Sequence, residues 1–284
     1  MKESFRFMLA LVIVAVLGGL ACVMMRSNDR EFHGKPESFW INSITNSGNS
    51  VTNQGWRVLV TNSASGAKFI YPTWQGFGSE GVPLLLKALR KGSGPWDRLY
   101  FKLWPKLPSF LSGWLPKPVD DSVLRQRSVM ILSGMGSDAQ IAVPAVVRAL
   151  HDENDRVRQS ALFTLDILLP GMGQEKIQIL PRVLEATRDG AAGVRNNAVI
   201  LLGYYSDQAS MVVQVVANAL NDSDLLVRSG AMRSILRLNA QGANKPVVAA
   251  LLKLLQDGNA EVRTAASNAL RRIDHEAAAK TGVK

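Results

Sequence analysis

Cysteine is almost missing from this chain: Cys22 is the single one among 284 residues. A disulfide framework and any cysteine-ligated zinc cluster within the chain are thereby excluded. Histidine is nearly as scarce, with three residues, which removes a His-rich metal site. No glycine-rich phosphate loop follows a strand, and Gly171-Met172-Gly173 reads as a turn between helical segments. Acidic residues are in deficit, 23 against 33 Lys and Arg, for a formal net charge of +10. What is present is apolar: 47% hydrophobic residues are too many for a disordered chain and suffice for a sizeable core.

The basic excess is local. Between Lys87 and Lys117 stand seven basic residues and one acid, Asp97, so that +6 of the +10 sits there. A patch needs a local explanation, where a uniform excess would not.

Phe7 to Met25 is a run of 19 residues without a charge, flanked by Lys2 and Arg6 on one side and Arg26 and Arg30 on the other. As a helix it would reach roughly 28 Å, close to the ~30 Å hydrocarbon core. It suits three readings: an uncleaved signal-anchor helix, a cleaved signal peptide, or a lipoprotein signal with Cys22 as the candidate lipidation site. Leu17-Gly18-Gly19-Leu20-Ala21-Cys22 resembles a permissive lipobox, although Val23-Met24-Met25 continues the apolar run. The balanced flanking charges do not set orientation. All three readings place the bulk of the chain on the exported, cell-envelope side of a membrane, single-pass in the anchor reading.

The strongest signal is a repeat. Val or Leu is followed by Arg, then by a small residue, then by Leu or Ile, at helical spacing. The pattern occurs at Leu124-Arg125…Ser128…Leu132 and Val157-Arg158…Ala161…Leu165. It returns at Val194-Arg195…Ala198…Leu202, Val227-Arg228…Ala231…Ile235 and Val262-Arg263…Ala266…Leu270. The Arg-to-Arg spacings are 33, 37, 33 and 35. Asp152, Asp189, Asp222 and Asp257 stand five residues before the Val in four copies; in the first copy Lys91, eight residues after Pro83, takes the place of the Asp. Pro83, Pro144 and Pro181 keep a common phase upstream, where a first-turn proline costs no hydrogen bond. Each copy reads as two helices joined by a short turn. One such pair cannot bury its apolar face alone, so the pairs must stack.

These residues resemble the HEAT repeat family, in particular its short bacterial form, over roughly residues 82–274. The resemblance implies an all-α, right-handed α-solenoid of about five helical pairs plus a degenerate N-terminal repeat, preceded by one transmembrane helix. It also implies that the repeated Asp and Arg form a ladder between stacked repeats, which takes them off the list of functional candidates. The expected division is 1–26 anchor, 27–81 linker and degenerate cap, and 82–284 solenoid with an insertion at about 92–121. Trp40 and Trp56 are expected to cap the apolar end of the stack, and Trp56 to Phe77 to form a degenerate repeat helix.

No catalytic constellation survives inspection, and no cofactor or metal is expected. His275-Glu276 lacks the second histidine of a zinc-protease helix, and His151-Asp152 is a lone pair in a turn. HEAT-repeat iron hydroxylases need several His-Glu pairs, and this chain has one. Two surfaces remain. The insertion interleaves Trp96, Trp104 and Trp114 with Arg98, Lys102 and Lys106. Such a mixture suits anionic lipid over residues 92–117, an anionic envelope polymer or protein partner, or a loop whose aromatics fold back on the stack. The second surface is the side of each second helix opposite its core stripe. There Phe163, Ile200 and Tyr204 form an apolar middle, and Arg233, Arg237, Arg271 and Arg272 a basic end, a groove for a peptide carrying acids. The reading is a non-catalytic, membrane-anchored scaffold with a concave protein-binding surface, its membrane contact made by residues 7–25. The alternatives are an accessory or chaperone subunit, as among bilin-lyase-like HEAT proteins, and envelope binding through the insertion. Nucleic acid is not the expected partner.

Overall fold

The computed structural model describes residues 29–46, 59–61, 68–70, 74–113, 115–238 and 245–281. The run 7–25, Cys22, Trp56 and Trp114 lie outside the described residues. Among the described residues no helix is long and apolar enough to cross a membrane.

Five helical pairs carry the stack. They are α2 (Val82–Arg90) with α5 (Ser122–Gly134), α6 (Val143–Ala149) with α7 (Asp155–Leu168), and α8 (Leu180–Ala186) with α9 (Ala192–Leu202). Then follow α10 (Ala209–Ala219) with α11 (Leu225–Leu238) and α12 (Lys245–Leu254) with α13 (Ala260–Ile273). The second helices pack side by side in the row α5–α7–α9–α11–α13. Pro83, Pro144 and Pro181 all occupy the first turn of their helices. The repeated core positions are sealed: Val157, Ala161 and Leu165 are 0% exposed, and the matching residues of the other pairs are equally buried. The small middle residue lets the neighbouring helix close in, and Ser128 satisfies its own hydroxyl by donating to the Leu124 carbonyl.

The ladder is built of bidentate pairs between consecutive repeats. Arg125 Nε donates to Asp152 at 2.7 Å, Arg158 to Asp189 at 2.8 Å and Arg195 to Asp222 at 2.9 Å. In all three the same carboxylate also accepts a backbone N–H two residues on, at Asn154, Ala191 and Asp224, fixing the turn before each second helix. Each of Arg158, Arg195, Arg228 and Arg263 donates its Nη1 to two carbonyls of its own turn. One Asp and one Arg per repeat therefore serve both the turn and the stacking. Hydrogen bonds from Arg195 and the Asp224 N–H hold the Asp222 carboxyl below its ordinary range. Burial pushes Asp189 up, but hydrogen bonds from Arg158 and the Ala191 N–H outweigh it and leave the group depressed. The fourth rung is looser, with Arg228 Nε 3.2 Å from Asp257.

The N-terminal end of the stack is closed by aromatic packing. A two-residue hairpin pairs β1 (Glu31–Phe32) with β2 (Lys35–Pro36) and leads into α1 (Glu37–Asn46). Trp40, Ile44 and Trp74 are buried there, and Trp40 Nε1 donates to the Phe32 carbonyl at 2.8 Å. Arg127 of α5 donates to the Ile44 and Thr45 carbonyls, satisfying the C-terminal end of α1. The expected helix over 56–77 is corrected. β3 (Leu59–Thr61) pairs antiparallel with β4 (Lys68–Ile70), and a 3-10 segment, Trp74–Gly81, follows. The physical reason is legible afterwards: Val58-Leu-Val-Thr and Lys-Phe-Ile flank a Ser/Asn/Gly stretch, a hairpin composition.

Candidate functional site: the exposed face of the second helices

Three cross-rows run over α7, α9 and α11, one helical turn apart. The first is polar: Gln159, Asn196 and Ser229. Asn197 donates to the Gln159 carbonyl at 3.1 Å, tying α9 to α7. The second is Phe163, Ile200 and Arg233. The third is Asp166, Tyr204 and Arg237. These are neighbours by i, i+3 or i, i+4 spacing within each helix.

The third row forms a clasp. Arg237 Nη1 donates to Asp166 Oδ1 at 2.9 Å across 71 residues of sequence, and its guanidinium lies 4.4 Å from the centre of the Tyr204 ring. The partners belong to helices two places apart in the row, with α9 between them. Neighbouring helices sit about 8–10 Å apart, and an Asp and an Arg side chain together span well under two such spacings. The C-terminal ends of α7 and α11 therefore converge over α9, and the row curves inward at this point. Sequence makes this feasible in two ways. Helix α9 is 11 residues long where α7 and α11 are 14, so it stops short. Gly203 then leaves room for the Arg237 stem: a Cβ there would stand 2.8 Å from Arg237 Cβ. Burial, with a smaller contribution from the Asp166 charge, raises the Tyr204 phenol above its usual value. Next to it Tyr205 is fully buried and donates to the Lys176 carbonyl, while Lys176 Nζ donates back to the Tyr204 carbonyl.

Phe163 and Arg233 stand open beside the clasp. Phe163 is 43% exposed, and Arg233 is exposed with no partner among the described residues. Ile200 differs from expectation. It is buried, at 6%, because Gly230 of α11 lets that helix press on α9, with the Ile200 side chain 3.3 Å from where a Cβ would stand. Arg237 is on the expected face, but Asp166 neutralises it. Arg271 and Arg272 are exposed at the C-terminal end of α13, and Arg271 donates to Asn268. Three residues that the helical spacing did not single out add apolar surface to the row: Val123, Ile167 and Leu226 are 46%, 42% and 60% exposed. Val123 and Leu226 hold the same phase, one residue before the core position, and that shared phase is the signal that could have found them.

The insertion contains α3 (Pro95–Leu103), a 3-10 turn at Trp104–Lys106, and α4 (Ser109–Ser112). Proline opens α3, and Asp97 accepts the Gly94 N–H. None of its residues is buried. Of the readings open for this segment, the folded-back loop does not hold at Trp96 and Phe101, which are 65% and 50% exposed. Tyr100 and Trp104 are half-buried, the Tyr100 hydroxyl donating to the Pro116 carbonyl and its ring standing edge-on to Trp104. Arg98 lies 3.6 Å from Glu153, whereas Lys102 and Lys106 have no partner among the described residues.

On the first-helix side a cleft of about 730 Å³ is lined by His151, Pro181, Arg182 and Met211, and by ladder residues Asp152, Arg158 and Asp189. His275-Glu276 opens α14 (His275–Lys280), capped by Asp274 through the Ala277 N–H. Among the described residues no three His, Cys, Asp or Glu gather as a metal would require.

The HEAT repeat family model matches residues 142–172 and 247–274, which are pairs α6/α7 and α12/α13. No curated protein matches the chain. Among solved structures the chain is similar to an engineered protein, at 16% identity and TM-score 0.46, over 87% of this chain and 78% of that one. A designed armadillo repeat protein in complex with the peptide (KR)4 is 17% identical, TM-score 0.45, over 72% and 95%. Kap95p, from a complex with RanGDP, is 17% identical, TM-score 0.43, over 71% and 30%.

Proposed function

We propose that this chain, which carries HEAT repeats, is a non-catalytic scaffold whose inward-curving second-helix face holds a protein partner. Repeat folds of this kind generally bind rather than catalyse. The observation that carries the reading is the clasp of Asp166, Tyr204 and Arg237 beside an exposed Phe163 and an exposed Arg233 that has no partner among the described residues. The clasp fixes the helix spacing before any partner arrives, so little ordering cost is left to binding. Phe163 supplies an aromatic anchor on α7 and Arg233 a cation on α11, two places along the row. That pairing suits a segment with an apolar side chain followed at short range by an acid. The uncharged run 7–25 supports a single-pass membrane anchor with the stack on the exported side, where partners are held close to the bilayer.

The test is chemical crosslinking in native membranes, read by mass spectrometry, for the wild-type chain and for Phe163→Asp with Arg233→Glu. Both side chains are solvent-exposed, so the variant should melt as the wild type does. The expected result is loss of a specific crosslinked protein; an unchanged crosslink pattern with an intact fold removes the reading.

A further inference from the structure

The insertion is a second surface, separate from the partner face. On α3, at 100° per residue, Trp96, Leu99, Tyr100 and Leu103 fall within about 100° of one another, the width of an apolar stripe. In a helix of a globular domain such a stripe is buried. Here Trp96, Leu99 and Leu103 are 65%, 45% and 44% exposed, and no residue of the helix is sealed. Tyr100, at one edge, is tied through its hydroxyl to the returning chain at Pro116, which orients the stripe outward. Arg98 and Lys102 line the other edge, next to Leu99. Lys106 and Lys117 follow, and with Lys102 they have no carboxylate partner among the described residues.

We infer that α3 and the 3-10 turn after it dock on an anionic bilayer surface, with the stripe lying among the acyl-chain ends and the lysines at the head groups. Three features select lipid over a protein groove. The apolar side chains stand along a nine-residue helix with no buried residue, which a deformable surface can accept without a preformed pocket. Trp and Tyr are the apolar side chains that favour the interface. The charge without a carboxylate partner among the described residues is of one sign, on Lys102, Lys106, Lys117 and nearby Arg90, whereas Lys87, Lys91 and Arg98 pair with Glu37, Asp121 and Glu153. The sequence also supplies proximity, because the apolar run 7–25 is of membrane-spanning length.

The test places a nitroxide at position 99 or 96 of the full chain, in a Cys22→Ser background, with Leu226→Cys on the stack as the reference site. The protein is reconstituted in phosphatidylcholine vesicles with or without phosphatidylglycerol. Accessibility to oxygen against a water-soluble relaxation agent gives the depth of each label. Labels at 96 and 99 should show severalfold higher oxygen accessibility with phosphatidylglycerol present, while 226 stays aqueous. The difference should shrink as salt rises, since screening lengths fall from about 10 Å at 0.1 M to about 3 Å at 1 M. Lys102→Glu with Lys106→Glu and Lys117→Glu should abolish it without changing the helical circular dichroism. Label 99 remaining as aqueous as 226 in the anionic vesicles would overturn the inference and leave the stripe to an acidic protein. Equal immersion in pure phosphatidylcholine would overturn the anionic requirement.

Discussion

At the residue scale the ladder concentrates two jobs in one carboxylate. Asp189 accepts from Arg158 in the preceding repeat and from the Ala191 N–H in its own turn, and Asp222 does the same with Arg195 and Asp224. Both groups are depressed below their ordinary value, so they bind protons less readily folded than unfolded. Their contribution to stability is fully present above the unfolded carboxylate range, about pH 4, and is lost as pH falls through the folded values. Melting temperature should therefore be flat in their contribution from pH 7 to about 5 and fall below about pH 4. Asp189→Asn should melt lower than the wild type at pH 7 and converge with it in acid. Thermal melts from pH 2 to 7 check this, and two parallel curves would contradict it. The ladder residues themselves were visible in the sequence, because an Asp and an Arg at fixed phase recur copy after copy. The Arg237–Asp166 contact was not, since it does not repeat: it depends on the length of α9 and on Gly203, which occur once.

At the element scale, packing is set by where backbones come close. A Cβ on Gly230 would stand 2.4 Å from Asn196 Oδ1, 3.2 Å from the Asn196 carbonyl and 3.3 Å from the Ile200 side chain. The carboxamide can swing away, but the carbonyl belongs to α9 and cannot. Gly230→Val should force α9 and α11 apart, at a cost of about 1–3 kcal/mol, the usual range for overpacking. It should also uncover Ile200. Denaturant unfolding measures the cost, and a variant as stable as the wild type would refute the close contact. This is also why Ile200 was misplaced by sequence reasoning. The helical angle of a residue says which side of its own helix it occupies, not how nearly the next helix approaches. Where the neighbour was fixed by the repeat, as for Val157, Ala161 and Leu165, angle and burial agree. The hairpin of β3 and β4 escapes the repeat pattern for a different reason: it lies upstream of the first clear copy, where local composition favours strands over a helical period.

At the scale of the whole molecule, the stack couples each repeat to the next through the ladder, and the clasp adds a link between the second and fourth pairs. In a solenoid whose stability is otherwise a sum over neighbours, such a link holds one curvature in place. The net charge gathers at the first pair and the insertion that follows it: +6 of the +10 lies between Lys87 and Lys117, with Lys87, Arg90 and Lys91 on or just after α2. Two surfaces follow, one clasped and apolar with Arg233 exposed nearby, the other an exposed helix with basic residues along it. The insertion stood out in the sequence by charge and aromatic content alone. Which way its rings point needed the structure.

The central claim is that partners are held on the second-helix face. It is tested most directly by placing a photoreactive phenylalanine analogue at Phe163 or at Leu236, a 37% exposed residue of α11 beside Arg237, and, on the opposite row, at Met211, which is 56% exposed. Each variant is irradiated in native membranes. The account predicts one common adduct from 163 and 236 and none from 211. An adduct formed from 211 alone, or equally from both faces, would contradict it.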